Sequence, residues 1–414
     1  MQKNKYFRYA LVFVAPLVFI FSQCLHQTKP TDPRGQTYAG AAACLKCHKS
    51  ITNDYFHTAH FLTSRIPSLN NIHGSFNPDS NTVLFNHNIK VAMENDSKGL
   101  YEANYVNGKM TRKEKLDITF GSNRGETFLY WKNSQVYQLP VTYYISLHQW
   151  GNSPAYSADS ANFSRVIGAR CFECHASYIK ALPDSTGVAN ANLLDRNSLI
   201  MGIDCERCHG PGADHVNFQA NNPASKQAMY ITKIGALTRQ QRIDLCSVCH
   251  SGNSNIMARS TFDFKPGDTL AKYTNGTPFH AYQDIAKVDV HGNQVKLLTS
   301  SQCFMHSKIE CATCHQVHGA EIKSVATYSQ YCTNCHSTAN HNFCKIADQL
   351  GPVINSNCIE CHMPVKTSHS IVINSVGKQI SPPFLARTHL ITIYPDESKE
   401  IMAMLKAKKG TKKQ

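Results

Sequence analysis

The sequence predicts a mainly α and irregular body, organised around repeated ligand-bearing turns, with a small antiparallel β insert. Three observations predict it. Seven Cys-x-x-Cys-His motifs recur in 414 residues. Six of them crowd into the 192 residues from Cys171 to His362, or 32 residues per motif. The 122 residues that follow His48 carry no motif, only short apolar runs separated by turn-forming pairs.

The motifs, numbered I to VII, are Cys44-Leu-Lys-Cys47-His48, Cys171-Phe-Glu-Cys174-His175, Cys205-Glu-Arg-Cys208-His209, Cys246-Ser-Val-Cys249-His250, Cys311-Ala-Thr-Cys314-His315, Cys332-Thr-Asn-Cys335-His336 and Cys358-Ile-Glu-Cys361-His362. This is the attachment signature of c-type haem. Two thiols add across the two vinyl groups of one porphyrin, and the adjacent imidazole falls under the iron as its proximal ligand. Zinc would need two Cys-x-x-Cys pairs per metal and has no use for histidine at the next position. A thioredoxin-like motif would occur once or twice on a βαβ background. Fourteen of the 17 cysteines are used in this pattern, so the sequence predicts seven covalent haems c. At 32 residues per motif there is too little chain to wrap each haem separately, so the haems must form one connected array. The predicted architecture is therefore a haem-dominated, multihaem cytochrome c fold.

The elements follow in order. Lys3, Lys5 and Arg8 precede the apolar run Tyr9–Ser22, which is short for a membrane span and suits an export signal over residues 1–23. Cys24 follows directly and is a candidate lipid anchor, with plain cleavage or an uncleaved anchor as the alternatives. Residues 24–38 form a linker, where Pro30, Pro33 and Gly35 discourage regular structure. Residues 39–74 form the first haem-binding segment, with a helix predicted over 50–63 that carries His57 and His60. Residues 75–145 read as the β insert: Thr82–Phe85, Ile89–Met93, Tyr101–Val106 turning at Asn107-Gly108, Leu116–Phe120, Thr127–Trp131 and Gln135–Leu139. Its expected role is a spacer or lid over haem. Residues 146–395 form the six-haem core, entered through Tyr143, Tyr144, His148 and Trp150. Within it, Leu237–Asp244 is a helix delivering motif IV, and Thr388–Tyr394 has strand character. Residues 396–414 form a basic tail, read as solvated and disordered.

Bis-histidine ligation needs seven further histidines. Excluding His26 in the linker, 13 of the 21 remain for this purpose: His57, His60, His73, His87, His148, His215, His280, His291, His306, His318, His341, His369 and His389. Placement near the motifs selects His60, His215, His291, His318, His341 and His389 as sixth ligands. His148 is the seventh, with His306 and His369 competing. His318 cannot easily reach the far side of the iron held by His315 and suits a neighbouring haem. Bis-histidine ligation predicts low reduction potentials. The segment His341-Asn-Phe-Cys344-Lys345 lacks the first cysteine of a Cys-x-x-Cys-Lys haem site, so Cys344 reads as a structural thiol or a partner of Cys303.

The formal charge is +14. Two propionates per haem bring it to about +7 with all irons ferric and about zero with all ferrous. The basic surplus is thus propionate compensation, and no nucleic-acid partner is implied.

These motifs resemble the multihaem cytochromes c of the cytochrome c-554-like group, within the superfamily that includes pentahaem nitrite reductase and octahaem hydroxylamine oxidoreductase. Ala43-Cys44 through His48 with Tyr55-Phe56-His57-Thr58-Ala59-His60, and Cys205 through His209 with Gly210-Pro211-Gly212-Ala-Asp-His215, look like two of that group's blocks. The resemblance places distal ligands at His60 and His215. Motif V with His318, and motif VII with Met363-Pro364, match two more. The Cys-x-x-Cys-Lys motif of the nitrite reductases is absent, and no catalytic residue is assigned. The expected function is an exported electron-transfer protein, periplasmic or membrane-anchored, with membrane-associated redox donor and acceptor proteins as partners. The alternatives are a multihaem oxidoreductase acting on a small nitrogen or sulfur compound at one five-coordinate haem, and a haem-bearing subunit of a membrane redox complex.

Overall fold

The computed structural model describes residues 32–157, 159–252, 257–274, 284–322, 324–340, 342–373 and 383–411. The export signal, Cys24, His280 and His341 lie outside these residues.

Alternation of apolar and polar side chains builds two sheets from the segment between motifs I and II. One is four-stranded, with β2 (Thr82–Asn86), β3 (Ile89–Asp96), β4 (Gly99–Val106) and β5 (Lys109–Lys115) in sequential order. Asn107 and Gly108 turn β4 into β5 with φ of 52° and 77°, the left-handed pair such a hairpin requires. The other sheet is six-stranded. Its order is β1 (Ser64–Arg65), β6 (Ile118–Phe120), β7 (Gly125–Lys132), β8 (Gln135–Tyr144) and β10 (Arg165–Val166), with β9 (Gln149–Asn152) also on β8. All pairs in both sheets are antiparallel.

The six-stranded sheet is a middle layer. Phe128, Tyr130 and Leu139 on one face pack with Leu100 of β4, while Val141 packs with Phe85, Val91 and Met93 of the four-stranded sheet. Ile118, Phe120, Leu129 and Val136 on the other face pack against Phe172 of the motif II helix and Ile179 and Leu194 of the hairpin β11 (Ala176–Pro183)–β12 (Ala189–Met201). Period-two alternation, with Phe128 one way and Leu129 the other, lets one strand serve both layers.

The mainly α expectation is overturned: 32% of residues are helical and 25% are in strands, in several antiparallel sheets. Two physical reasons account for this. The motif helices are short, from four residues at motif I to 12 at motif IV. The haem-dense region also contains paired strands, β11–β12 and β13 (Val365–Thr367)–β14 (Leu385–Arg387). Smaller differences follow the same local physics. The helix expected over 50–63 is Lys49–Tyr55, then a 3-10 turn at Phe61–Thr63. The strand expected at 388–394 falls just before it, at β14. The basic tail is helical over Pro395–Thr411, because Ile401, Met402 and Leu405 pack on Leu350 and Ile354. Among the described residues no helix is long and apolar enough to cross a membrane.

Candidate haem-binding array

Every motif sits on a helical turn: Ala41–Cys44, Ala169–His175, Cys205–His209, Arg239–His250, Cys311–Cys314, Val325–Thr333 and Cys358–His362. Where the regular helix stops short, the turn is still closed by the histidine N–H donating to the first cysteine carbonyl. This occurs for His48 (3.0 Å), His315 (3.0 Å) and His336 (2.8 Å). Cysteines three apart and a histidine four apart therefore project together from one face. Local sequence starts these helices. Asp204 caps motif III by accepting from Arg207 N, and Thr238 with Gln241 forms a capping box before motif IV.

Imidazoles from distant parts of the chain meet in pairs. His250 of motif IV lies 6.1 Å, centroid to centroid, from His60. His209 of motif III lies 6.0 Å from His318, and His315 of motif V lies 6.1 Å from His389. Two imidazoles bound through one nitrogen each to a metal between them, at about 2 Å per bond, have centroids roughly 6 Å apart. Among the described residues no three His, Cys, Asp or Glu side chains converge as a metal cluster. The recurring unit is a pair of imidazoles with this spacing, and such a pair would suit two ligands to one haem iron. The residues present fit the group.

Second nitrogens are tied back. His209 Nδ1 faces Thr232 O at 3.3 Å, His336 Nδ1 faces Asn342 O at 3.1 Å, and His362 Nδ1 faces Thr392 O at 2.9 Å. His215 Nδ1 does the same with Met229 O at 2.8 Å. A carbonyl only accepts, so Nδ1 carries the proton and Nε2 keeps its lone pair for a metal. His175 Nδ1 instead faces Thr63 Oγ1 at 3.0 Å.

Burial pushes the His60, His175 and His389 imidazoles down to about 4, and burial also lowers His209, His250, His291 and His315. Rings held neutral have no proton to displace on binding iron.

Adjacent motifs touch through their thiols. The Cys44 thiol lies beside that of Cys205, Cys174 beside Cys249, Cys246 beside Cys311, and Cys332 beside Cys358. Cys208 also neighbours Cys246 and Cys249, and Cys314 neighbours Cys332. The links run I–III–IV–V–VI–VII, with II attached at IV. The two residues inside motif III reinforce them. Arg207 of motif III donates to Glu173 O of motif II and to Thr261 O. Glu206 accepts from the N–H groups of Ala39, Gly40 and Gly212. These intervening residues escaped sequence reasoning, because the motif leaves them unspecified.

The other candidates are placed as follows. His291 neighbours His175 electrostatically and meets Phe384 edge-on. His148 is exposed, at φ 50° after a 3-10 turn. Cys303 neighbours Cys314 and Cys335, whereas Cys344 packs beside Leu350 and Ile354 and neighbours Cys361. Both are free thiols in separate surroundings, so of the two readings of Cys344 the structure has the packed thiol and not the bond to Cys303.

Fold and site together define a class: the chain is a multihaem c-type cytochrome that uses haem c. The family model described as cytochrome c554 and c-prime matches residues 145–210, which hold motifs II and III. Multiheme cytochrome MtrA of Shewanella baltica (strain OS185) is 23% identical over 207 residues, covering 49% of this chain and 54% of that protein. C-type polyheme cytochrome OmcB of Geobacter sulfurreducens (strain ATCC 51573 / DSM 12127 / PCA) is 23% identical over 216 residues, covering 43% of this chain and 26% of that one. The chain thus spans about half the length of MtrA and about a quarter of OmcB. The crystal structure of the outer cell wall cytochrome OcwA shares the fold, with a TM-score of 0.56 at 14% identity over 88% of this chain and 82% of that one.

Proposed function

We propose that the protein is an exported heptahaem cytochrome that passes electrons along a chain of bis-histidine haems. The observation that carries this reading is the close imidazole pair, formed three times at 6.0–6.1 Å between a motif histidine and a histidine from elsewhere in the chain. In this reading the 14 motif cysteines hold the porphyrins and the seven motif histidines are proximal ligands. His60 serves motif IV, His318 motif III, His389 motif V and His291 motif II. His215, His341 and His148 are assigned to the remaining three.

Bound haem c supplies one-electron ferric–ferrous chemistry. The residues of this chain do the rest. They bring the motifs side by side and fix the rings of His175, His209, His215, His336 and His362 through an Nδ1 partner. Partners are redox donor and acceptor proteins at or near a membrane, with Cys24 as the lipid anchor and residues 1–23 as the export signal. The names of the relatives, a multiheme cytochrome, a polyheme cytochrome and an outer cell wall cytochrome, support this reading.

Low-temperature EPR of the oxidised protein tests it. Conduction predicts only low-spin ferric signals. A high-spin signal that responds to nitrite or hydroxylamine would replace it with an oxidoreductase.

A further inference from the structure

The β layers meet the haem array at one ring. Phe120, the last residue of β6, lies parallel to the His175 imidazole, with centroids 4.5 Å apart and planes 8° apart. No other motif histidine is stacked on a phenylalanine, tyrosine or tryptophan among the described residues. The nearest comparison is His315 with Tyr328, at 5.6 Å and tilted by 56°.

Phe120 is itself held. It is 9% exposed, pairs with Ser64 on β1 and Thr127 on β7, and meets Phe172 edge-on at 5.1 Å. The next residue, Gly121, has φ 88°, and a Cβ there would lie 2.3 Å from Gly125 O, so the backbone at the end of β6 admits little change. The start of β1 and the residue before it reach His175 twice more. Thr63 Oγ1 faces its Nδ1, and Ser64 Oγ donates to its carbonyl at 2.5 Å.

We propose that Phe120 is a positioning residue for the motif II haem. The β layers then serve to fix the rotation of one axial imidazole and so tune one redox centre. An imidazole can turn about its bond to iron, and that rotation alters how the ring interacts with the metal. A parallel phenyl at van der Waals distance blocks the turn on one side, and Thr63 restrains Nδ1. The proposal rests on the reading of His175 as a proximal haem ligand.

The test uses the purified holoprotein with Phe120→Leu and Phe120→Met, both of which keep an apolar side chain but lose the flat face. Phe128→Leu is the control. It removes a fully buried aromatic from the opposite face of the same sheet, at the position paired with Thr119. Oxidised EPR, a potentiometric titration and the haem content of the motif II peptide are measured for each. In the Phe120 variants one low-spin signal moves in g-value and one haem shifts in midpoint potential, while the motif II peptide keeps its haem. Phe128→Leu moves neither. Unchanged spectra and potentials in both Phe120 variants would overturn the proposal, as would the same signal moving in Phe128→Leu. If Phe120→Leu cannot be obtained folded, Phe120→Met alone decides. A motif II peptide without haem in the parent protein would overturn the haem reading together with the proposal.

Discussion

At the scale of single residues, the site depends on imidazoles kept neutral and aimed. His60, His175 and His389, at about 4 in the fold against an ordinary 6.5, bind fewer protons folded than unfolded across that interval. Stability contributed by these rings is therefore present above about pH 6.5 and is lost as pH falls toward 4. Iron ligation has the same sign, since it also needs the neutral ring. Acid titration followed in the visible spectrum should show low-spin haem bands persisting at neutral pH and collapsing on the acid side. Collapse on mild alkalinisation would contradict the ligand reading. Single substitutions His60→Ala, His318→Ala and His389→Ala should each turn one low-spin ferric haem high-spin and leave the others, as read by EPR. The seven motifs were legible in the sequence, because attachment chemistry prescribes residue types. The carbonyls of Thr232, Asn342 and Thr392 that fix the imidazoles were not legible, because every residue carries a carbonyl and only the fold decides which one arrives.

At the scale of elements, two buried titratable features bind segments far apart in sequence. Arg34 pairs with Asp32, Asp204 and Glu206, with all four side chains at most 8% exposed. Burial pushes the Asp32 carboxyl up, but the Arg34 guanidinium pulls it down further, leaving it below the usual carboxylate range. Arg34→Ala would strand three buried carboxylates and should cost about 3–5 kcal/mol, read as a lowered thermal midpoint. Glu102 behaves oppositely. It is fully buried between the sheets, one oxygen accepts from Val141 N at 3.1 Å, and the other has no partner. Burial raises its pKa well above 4.5, so the folded state holds a proton that the unfolded state releases. Stability from Glu102 is thus lost as pH rises above about 4.5, at about 1.4 kcal/mol for each unit separating the two pKa values. Glu102→Gln should raise the thermal midpoint at pH 8 and flatten its pH dependence, whereas a drop at pH 8 would contradict the assignment. The hairpin at Asn107-Gly108 and the helix before motif IV were legible, since each carries its own turn or cap chemistry. The β11–β12 hairpin was not. Asn190, Asn192, Asp195 and Asn197 interrupt its apolar pattern, and its register slips at bulges.

At the scale of the molecule, the motif spacing and the thiol contacts describe one connected body. The contacts join motif I through III, IV, V and VI to motif VII, with motif II attached at IV and braced by the β layers. The +14 formal charge belongs to the same account, because propionates reduce it as haems are added. Covalent loading therefore tests the central claim most directly. The intact mass of the purified holoprotein, measured under denaturing conditions after thiol alkylation, should equal the mature chain plus seven haems, with none of the 14 motif cysteines alkylated. Six or fewer haems, or alkylation at any motif cysteine, would contradict it.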